Sequence, residues 1–351
     1  MQPSRCFLLP VLACGFVQAV FGQADTGTIT GIVTDPSGAA IAAVQVSIVQ
    51  KENNFTFSSL TNNEGLYRIQ SLQPGTYTLR FQAAGFKVSP RKVRLATIHY
   101  KPTGKSAREN CEEYAPLLAE AARQKADLVV LGETVPSVGL KQKAEETAEV
   151  IPGPTTDYFG ELAKRNNLHI VFSLHERDGH LVYNAAVLIG ADGWLIGKYR
   201  KICLPPSEAA AGIAPGRDYP VFDTKFGRVG LMVCYDGFFP EVARELSNRG
   251  AEIIAWPVWG CNPLLAQARA CENHVYLVSS TFMEPKDGWM ISAVFDQTGK
   301  PIAQAGKWGT VAVAEVDLSQ PYIGPYNLGD FRAMVPRHRP VSLPEPGTAV
   351  H

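Results

Sequence analysis

The chain has 351 residues, of which 46% are hydrophobic and 19% are charged, and this composition is that of a folded globular protein rather than a disordered one. A chain of this length is expected to form two or three domains. The 33 basic and 33 acidic residues cancel, so nothing in the composition indicates a nucleic-acid surface or an acidic tail for a basic partner.

The first 24 residues have the pattern of a secretory signal peptide. Arg5 supplies a positive charge, a mostly apolar run follows over residues 6–21, and small residues end it. The run is short for a membrane span, so we expect export to the periplasm or the cell exterior. A lipid anchor on Cys14 is an alternative, which the continuation of the apolar run past this cysteine argues against.

The cysteines give no sign of a structural metal site. Five of the seven lie beyond the leader, namely Cys111, Cys203, Cys234, Cys261 and Cys271. Five is an odd number, so at least one thiol is free or pairs between chains, and the sequence leaves the disulfide state open. None of the five forms a C-x-x-C pair with zinc-finger spacing.

Residues 25–88 read as a small β-sandwich. Short runs alternate polar and apolar residues, as strands with one buried face do, and turn residues such as Asn62-Asn63-Glu64-Gly65 and Gln73-Pro74-Gly75 separate them. The stretch resembles the carboxypeptidase regulatory-like, transthyretin-type module. The residues that carry this resemblance are Gly31, Val33, Gly65, Tyr67, Ile69, Leu72, Pro74, Gly75 and Tyr77. The resemblance implies an accessory role, with contact to a cell surface or to carbohydrate as the candidate.

From residue 91 the pattern changes to alternating strands and helices. Strands are predicted at 92–99, 127–131, 168–174, 183–189, 193–198, 230–234, 252–257 and 275–281, and helices at 108–125, 158–166, 240–249 and 264–273. Further strands follow to residue 316. This alternation indicates one large α/β domain over residues 91–322, followed by a tail rich in proline and glycine at 323–351.

Three ionisable residues follow predicted strands of this domain. Glu133 comes after an apolar run, Lys201 ends a basic segment, and Cys234 ends another apolar run. The strand ends and loops of an α/β sheet form its ligand crevice. There a carboxylate can take the thiol proton, the sulfur can attack an electrophilic carbon, and an ammonium can lower the thiol pKa and stabilise an oxyanion.

Each of these residues alone has an ordinary structural interpretation. A cysteine at the end of an apolar strand is usually a small buried hydrophobic residue. A glutamate after a strand and a lysine in a basic run are usually solvated charges. The functional interpretation therefore depends on the three segments taken together.

Together the segments resemble the nitrilase, or carbon–nitrogen hydrolase, superfamily over residues 91–340. The matching segments are Leu128-Val129-Val130-Leu131-Gly132-Glu133, Lys198-Tyr199-Arg200-Lys201, Phe222-Asp223-Thr224, Val233-Cys234-Tyr235-Asp236, Arg269-Ala270 and Glu272-Asn273. Two departures are visible. Gly132 stands where the family usually has proline, and His99 stands where the first strand often ends in glutamine.

The resemblance implies a fold, a catalytic set and an assembly. The fold is a four-layer αββα sandwich. The set is Glu133 as base, Lys201 as oxyanion stabiliser, Cys234 as nucleophile, Glu208 to position lysine and substrate, and the Tyr235 N–H in the oxyanion hole. No metal or organic cofactor is implied. A homodimer or higher homo-oligomer would form through the helix at 240–249 and the tail at 326–332.

The implied reaction is hydrolysis of a small amide through a cysteine thioester. Nitrilases of this superfamily usually show Cys-Trp-Glu, whereas this chain has Cys234-Tyr235-Asp236, which favours the amidase and carbamoyl-hydrolase branches. Nitrile hydrolysis and N-acyl transfer at the same site remain alternatives, as does a non-catalytic binding protein that uses the β module. Trp259, soon after a predicted strand, is a candidate pocket wall.

One metal-like motif is discounted. His175-Glu176-Arg177-Asp178-Gly179-His180 resembles H-E-x-x-H, but the second histidine comes one residue late and Asp178-Gly179 predicts a turn rather than a helix.

Overall fold

The computed structural model describes residues 26–35, 38–50, 55–83, 90–260, 262–284, 292–320 and 322. The expected leader at 1–24 and the tail contact at 326–332 lie outside these residues. The chain divides into two compact units, residues 1–87 and 88–351.

The first unit contains two small antiparallel sheets. The two-stranded sheet pairs β1 (Gly27–Ile32) with β4 (Leu66–Leu72). The three-stranded sheet has β2 (Gln45–Gln50) between β3 (Thr56–Leu60) and β5 (Tyr77–Gln82). Because β2 and β4 alternate polar and apolar residues, each buries one face. Their buried side chains form one core with Val44, which precedes β2; the strand residues of this core are Val46, Ile48, Tyr67, Ile69 and Leu72. The predicted β-sandwich is therefore confirmed.

The second unit contains two six-stranded mixed sheets. The first has the order β10-β9-β8-β7-β6-β17. Its strands are β6 (Lys92–His99), β7 (Leu128–Val130), β8 (His169–Asp178), β9 (Leu181–Ile189), β10 (Leu195–Arg200) and β17 (Thr310–Asp317). The central strands β6, β7 and β8 are parallel, and the outer pairings are antiparallel.

The second sheet has the order β11-β12-β13-β14-β15-β16. Its strands are β11 (Val221–Asp223), β12 (Arg228–Leu231), β13 (Ile253–Pro257), β14 (Tyr276–Ser280), β15 (Ser292–Phe295) and β16 (Pro301–Ala305). The pairs β12–β13 and β13–β14 are parallel, and the remaining pairs are antiparallel.

Seven α-helices lie among the described residues of the second unit. They are α1 (Ala107–Glu112), α2 (Ala115–Arg123), α3 (Ala144–Thr147), α4 (Pro154–Asn166), α5 (Pro206–Ala210), α6 (Pro240–Asn248) and α7 (Pro263–Asn273). Helices α2 and α4 pack on the first sheet, and α6 and α7 pack on the second. Within the described part of the chain, no helix is both long and apolar enough to cross a bilayer.

The main core lies between the two sheets. Leu95 and Val130 of the first sheet belong to the same buried cluster as Leu231 and Val294 of the second. A second cluster, which includes Leu118 and Phe159, lies between the first sheet and its helices. The order of layers is thus helix, sheet, sheet, helix, and the four-layer sandwich is confirmed.

Two local expectations were wrong. The helix predicted over 108–125 is broken into α1 and α2 because Pro116 lacks an N–H and its ring would clash with the carbonyl of Glu112 in a continuous helix. The strand predicted over 230–234 ends at Leu231, and Cys234 instead begins a 3₁₀ turn, Cys234–Phe238.

Candidate active site

The topology brings the three candidate segments to one end of the sandwich. β10 is antiparallel to β9, which is antiparallel to β8, and β8 is parallel to β7, so β7 and β10 run in the same direction. Glu133 follows β7 and Lys201 follows β10, so both lie beyond the same edge of the first sheet. Cys234 follows β12 in the facing sheet.

Lys201 lies between two carboxylates. Its Nζ donates to Oε1 of Glu133 at 3.0 Å and to Oε1 of Glu208 at 2.8 Å. The Lys201 side chain is 1% exposed, and that of Glu133 is 6% exposed. An ammonium buried to this degree requires charged partners, so these contacts account for its presence inside the protein.

The thiol of Cys234 adjoins this group. It interacts with the Glu133 carboxylate, with the Lys201 ammonium and with the backbone N–H of Trp259. Glu133, Lys201, Cys234 and Glu208, which are widely separated in the sequence, therefore meet in one cluster.

Asn184 is a member of the cluster that the sequence analysis missed. Its Nδ2 donates to Oε1 of Glu133 at 2.8 Å and to Oε1 of Glu208 at 3.3 Å. Its backbone carbonyl accepts from the Lys201 N–H at 2.8 Å. In the sequence, Asn184 is a single amide residue within the otherwise apolar strand β9, LVYNAAVLI, and this position is the feature that could have indicated its role.

The 3₁₀ turn that begins at Cys234 holds this residue in an uncommon backbone conformation. Its φ is +41°, a value that non-glycine residues rarely adopt outside sites where the surroundings enforce it. The indole N–H of Trp256 donates to the Cys234 carbonyl at 3.1 Å. Arg269 of α7 donates to the carbonyls of Gly237 at 3.1 Å and Phe238 at 3.3 Å. The turn is therefore held from both β13 and α7.

Asp236 joins this turn to the segment that contains Lys201. Its carboxylate accepts from the N–H of Val233 at 2.9 Å and from the N–H of Cys203 at 2.8 Å. It also accepts from the Tyr199 hydroxyl at 2.8 Å. Asp236 is completely buried, and burial raises its pKa to about 6 against the lowering effect of these donors.

Tyr235 and Trp259 occupy the surroundings of the thiol. Tyr235 follows Cys234 in the turn, and its ring packs against Phe238 and Phe239. The Trp259 side chain is 52% exposed, whereas its backbone N–H donates to Oε2 of Glu133 at 2.9 Å. The contact of Trp259 with the cluster thus comes from its backbone, and the role of its ring as a pocket wall stays a prediction.

The charges of the cluster alter the titration of its members. Burial and Glu133 raise the pKa of the Cys234 thiol, and the opposing effect of Lys201 is smaller. Burial lowers the pKa of Lys201, but Glu133, Cys234 and Glu208 together raise it above its ordinary value. The resting cluster therefore contains an ammonium and a neutral thiol, so the thiol needs a base to become nucleophilic.

The segment that resembles H-E-x-x-H is part of a different arrangement. Glu176 of β8 is 1% exposed and forms ion pairs with Lys198 and Arg200 of β10, which lies two strands away in the same sheet. Asp178 at the end of β8 pairs with Arg200 as well, at 2.7 Å. Within the described ranges, no group of histidine, cysteine, aspartate and glutamate side chains has the geometry to hold a metal ion.

Comparisons with known proteins agree with this architecture. The carbon–nitrogen hydrolase family matches residues 94–322, and the carboxypeptidase regulatory-like domain family matches residues 28–99. The match to the carboxypeptidase regulatory-like family extends to residue 99 and so includes β6. In the structure, this strand belongs to the second unit, where it pairs with β7 and β17.

Individual relatives cover most of the same region. A nitrilase of Pyrococcus abyssi is 35% identical, with 64% of this chain and 90% of the relative covered. Omega-amidase NIT2-B of Xenopus laevis is 30% identical, with 71% of this chain and 94% of the relative covered.

A solved structure shares the fold. Nit3 of Saccharomyces cerevisiae, a member of branch 10 of the nitrilase superfamily, aligns with a TM-score of 0.60 at 26% identity. The alignment covers 71% of this chain and 96% of that protein. The chain is therefore a member of the carbon–nitrogen hydrolase family, an enzyme of the nitrilase superfamily that carries a carboxypeptidase regulatory-like domain at its N-terminus.

Proposed function

We propose that this enzyme hydrolyses the carbon–nitrogen bond of a small amide through a thioester on Cys234. The observation that carries the proposal is the buried contact of Lys201 with Glu133 and Glu208, with the Cys234 thiol beside Glu133. This arrangement supplies a nucleophile, a base and a fixed positive charge in one place.

In the first half of the reaction, the Glu133 carboxylate takes the thiol proton as the Cys234 sulfur attacks the amide carbon. The carbonyl oxygen becomes an oxyanion, which the Lys201 ammonium and the Tyr235 N–H stabilise. The tetrahedral intermediate then collapses, the carbon–nitrogen bond breaks, and the leaving nitrogen takes the proton from Glu133. Ammonia or an amine departs, and the acyl group stays on sulfur.

In the second half, water attacks the thioester carbon. Glu133 accepts a proton from this water, and the oxyanion again lies at Lys201. When the carbon–sulfur bond breaks, the proton passes from Glu133 to the sulfur, so the thiol is regenerated and the carboxylic acid is released. The raised pKa of the Cys234 thiol makes sulfur the group that holds this proton at rest.

Two features favour an amide over a nitrile as substrate. The segment Cys234-Tyr235-Asp236 differs from the Cys-Trp-Glu usual in nitrilases. In addition, Oε2 of Glu208 is buried and accepts no hydrogen bond from the described residues. An amide nitrogen can donate to this oxygen and a nitrile cannot, and a site with an unpaired polar atom discriminates against a ligand that leaves it unpaired. Nitrile hydrolysis is the second candidate, because one relative is a nitrilase.

The test is ammonia release from a panel of primary amides and matched nitriles. The Cys234→Ala variant is expected to lose at least about 10³-fold in kcat. The control is Cys271→Ala, which removes an exposed free cysteine of α7 and should retain wild-type turnover. Undiminished turnover by Cys234→Ala would refute the proposal, and faster turnover of the nitriles would select the second candidate.

We also propose that the enzyme is exported and assembles as a homo-oligomer, and that the β module contacts a cell surface or carbohydrate. The first part rests on the apolar leader at 1–24, and the others rest on family resemblance. Fractionation of producing cells and the solution mass of the purified protein test the first two parts. Binding to polysaccharide tests the third.

A further inference from the structure

We propose that Asn184 is a positioning residue that holds the Glu133 and Glu208 side chains together on Lys201. The inference rests on the proposed function, since it concerns the same reaction. It adds a neutral side-chain donor to Glu133, Lys201, Cys234 and Glu208, whose side chains all gain or lose protons.

The geometry gives Asn184 the same two acceptors as the lysine. Nδ2 of Asn184 reaches Oε1 of Glu133 at 2.8 Å and Oε1 of Glu208 at 3.3 Å. Nζ of Lys201 reaches the same two oxygens at 3.0 Å and 2.8 Å. The Oε1 atom of each carboxylate is therefore held by two donors, one charged and one neutral.

The charge of the cluster explains why a second donor is needed. Two carboxylates and one ammonium leave one excess negative charge when the thiol is neutral. Like charges brought together away from water favour protonation of one of the two acids. A second lysine would cancel the excess charge, but its added positive charge would stabilise the thiolate and make the sulfur a weaker nucleophile. An amide stabilises both carboxylates through hydrogen bonds and adds no charge.

The location of Asn184 makes it suitable for this task. It is 1% exposed and lies in β9, a strand that pairs with β8 on one side and β10 on the other. Its backbone carbonyl also fixes the Lys201 N–H at 2.8 Å. A side chain from a strand that is paired on both sides has little freedom, so its amide is directed at the carboxylates in advance.

Loss of the Asn184 donor should make Glu208 harder to ionise. Burial raises the pKa of the Glu208 carboxyl above its usual range, and the hydrogen bond from Asn184 opposes this because it favours the charged form of the acid. Without it, Glu208 keeps its proton to higher pH and binds Lys201 less firmly, and Glu133 loses the donor that holds its Oε1 at 2.8 Å.

The experiment compares wild type with Asn184→Leu, which keeps the approximate shape and removes the amide. The rate of alkylation by iodoacetamide is measured from pH 5 to 9, with peptide mass analysis to isolate the label on Cys234. Asn184→Ala serves as the second variant in case the leucine does not fit. The control is Asn166→Leu, which removes a half-buried amide of α4 that donates to the carbonyl of Leu162.

Both Asn184 variants are expected to shift the acid limb of the Cys234 alkylation profile to higher pH. On any amide that the wild type hydrolyses, kcat/KM at neutral pH should fall roughly 10- to 100-fold, mainly through kcat. Asn166→Leu should show the wild-type profile. A folded Asn184 variant with an unshifted limb overturns the inference, whatever its turnover. The alkylation readout needs no substrate, so absence of amidase activity in the wild type would count against the proposed function alone.

Discussion

Lys201 is the single residue on which the electrostatics of the site depend. It contacts both carboxylates of the cluster and opposes the effects of burial and Glu133 on the Cys234 thiol. Without it, the buried Glu133 and the partly exposed Glu208 would face each other with only the neutral amide of Asn184 between them.

We expect Lys201→Met to reduce kcat by at least about 10³-fold, because the oxyanion loses its positive partner. The variant should also lower the free energy of unfolding by about 3 kcal/mol, since removal of one member of a buried ion pair leaves the others uncompensated. Turnover assays and urea unfolding measure the two effects.

The matched control is Lys198→Met on the same segment of chain. Lys198 contacts Glu176, which also pairs with Arg200, so the carboxylate keeps a cation when the lysine is removed. Retention of kcat by Lys201→Met within a few-fold of this control would contradict the assigned role.

At the scale of elements, the site depends on how two segments are joined. Asp236 in the Cys234 turn accepts from Cys203 and Tyr199, which lie on either side of Lys201 in the sequence. The Asp236 carboxylate therefore fixes the distance between Cys234 and Lys201. Among the described residues, it makes no hydrogen bond to the side chain of either.

The buried Asp236 predicts a specific dependence of stability on pH. Its pKa is about 6 in the folded protein and about 4 when the chain is unfolded. Between these values the folded state holds a proton that the unfolded state has released, so the free energy of unfolding falls as pH rises from about 4 to 6. The change amounts to about 1.4 kcal/mol for each unit of pKa difference.

Urea unfolding of wild type and Asp236→Asn at several pH values from 4 to 7 isolates this effect. Because the other titrating groups are shared, they cancel in the difference between the two proteins. The stability of the wild type relative to the variant should decrease over this range and level off above pH 6. A difference that stays constant or increases would show that the pKa of Asp236 is not raised.

The sequence predicted most elements and missed the contacts between them. Apolar strands such as β7 and β13 were predicted because the apolar run that marks a buried strand lies within the strand itself. The break before Pro116 was missed because the apolar spacing of the predicted helix continues across it. Asn184 was missed because a lone amide in a strand gains significance only when the fold places it beside Glu133 and Glu208.

At the scale of the whole molecule, two facing sheets produce the site. Each mixed sheet contributes parallel strands whose carboxyl ends meet at one edge, and the core between the sheets fixes their separation. Glu133 and Lys201 come from one sheet and Cys234 from the other. Because the pairing of the two sheets involves residues far apart in the chain, the convergence followed from family resemblance and not from local pattern.

The proposed reaction requires Cys234 to carry the acyl group during turnover. The most direct measurement is acid quenching of the wild type during hydrolysis of the amide that it turns over fastest, followed by peptide mass analysis. We predict a mass increase equal to the acyl group on the peptide that contains Cys234, removable by hydroxylamine. Steady release of ammonia with no adduct on that peptide, together with full turnover by Cys234→Ala, would show that Cys234 is not the nucleophile.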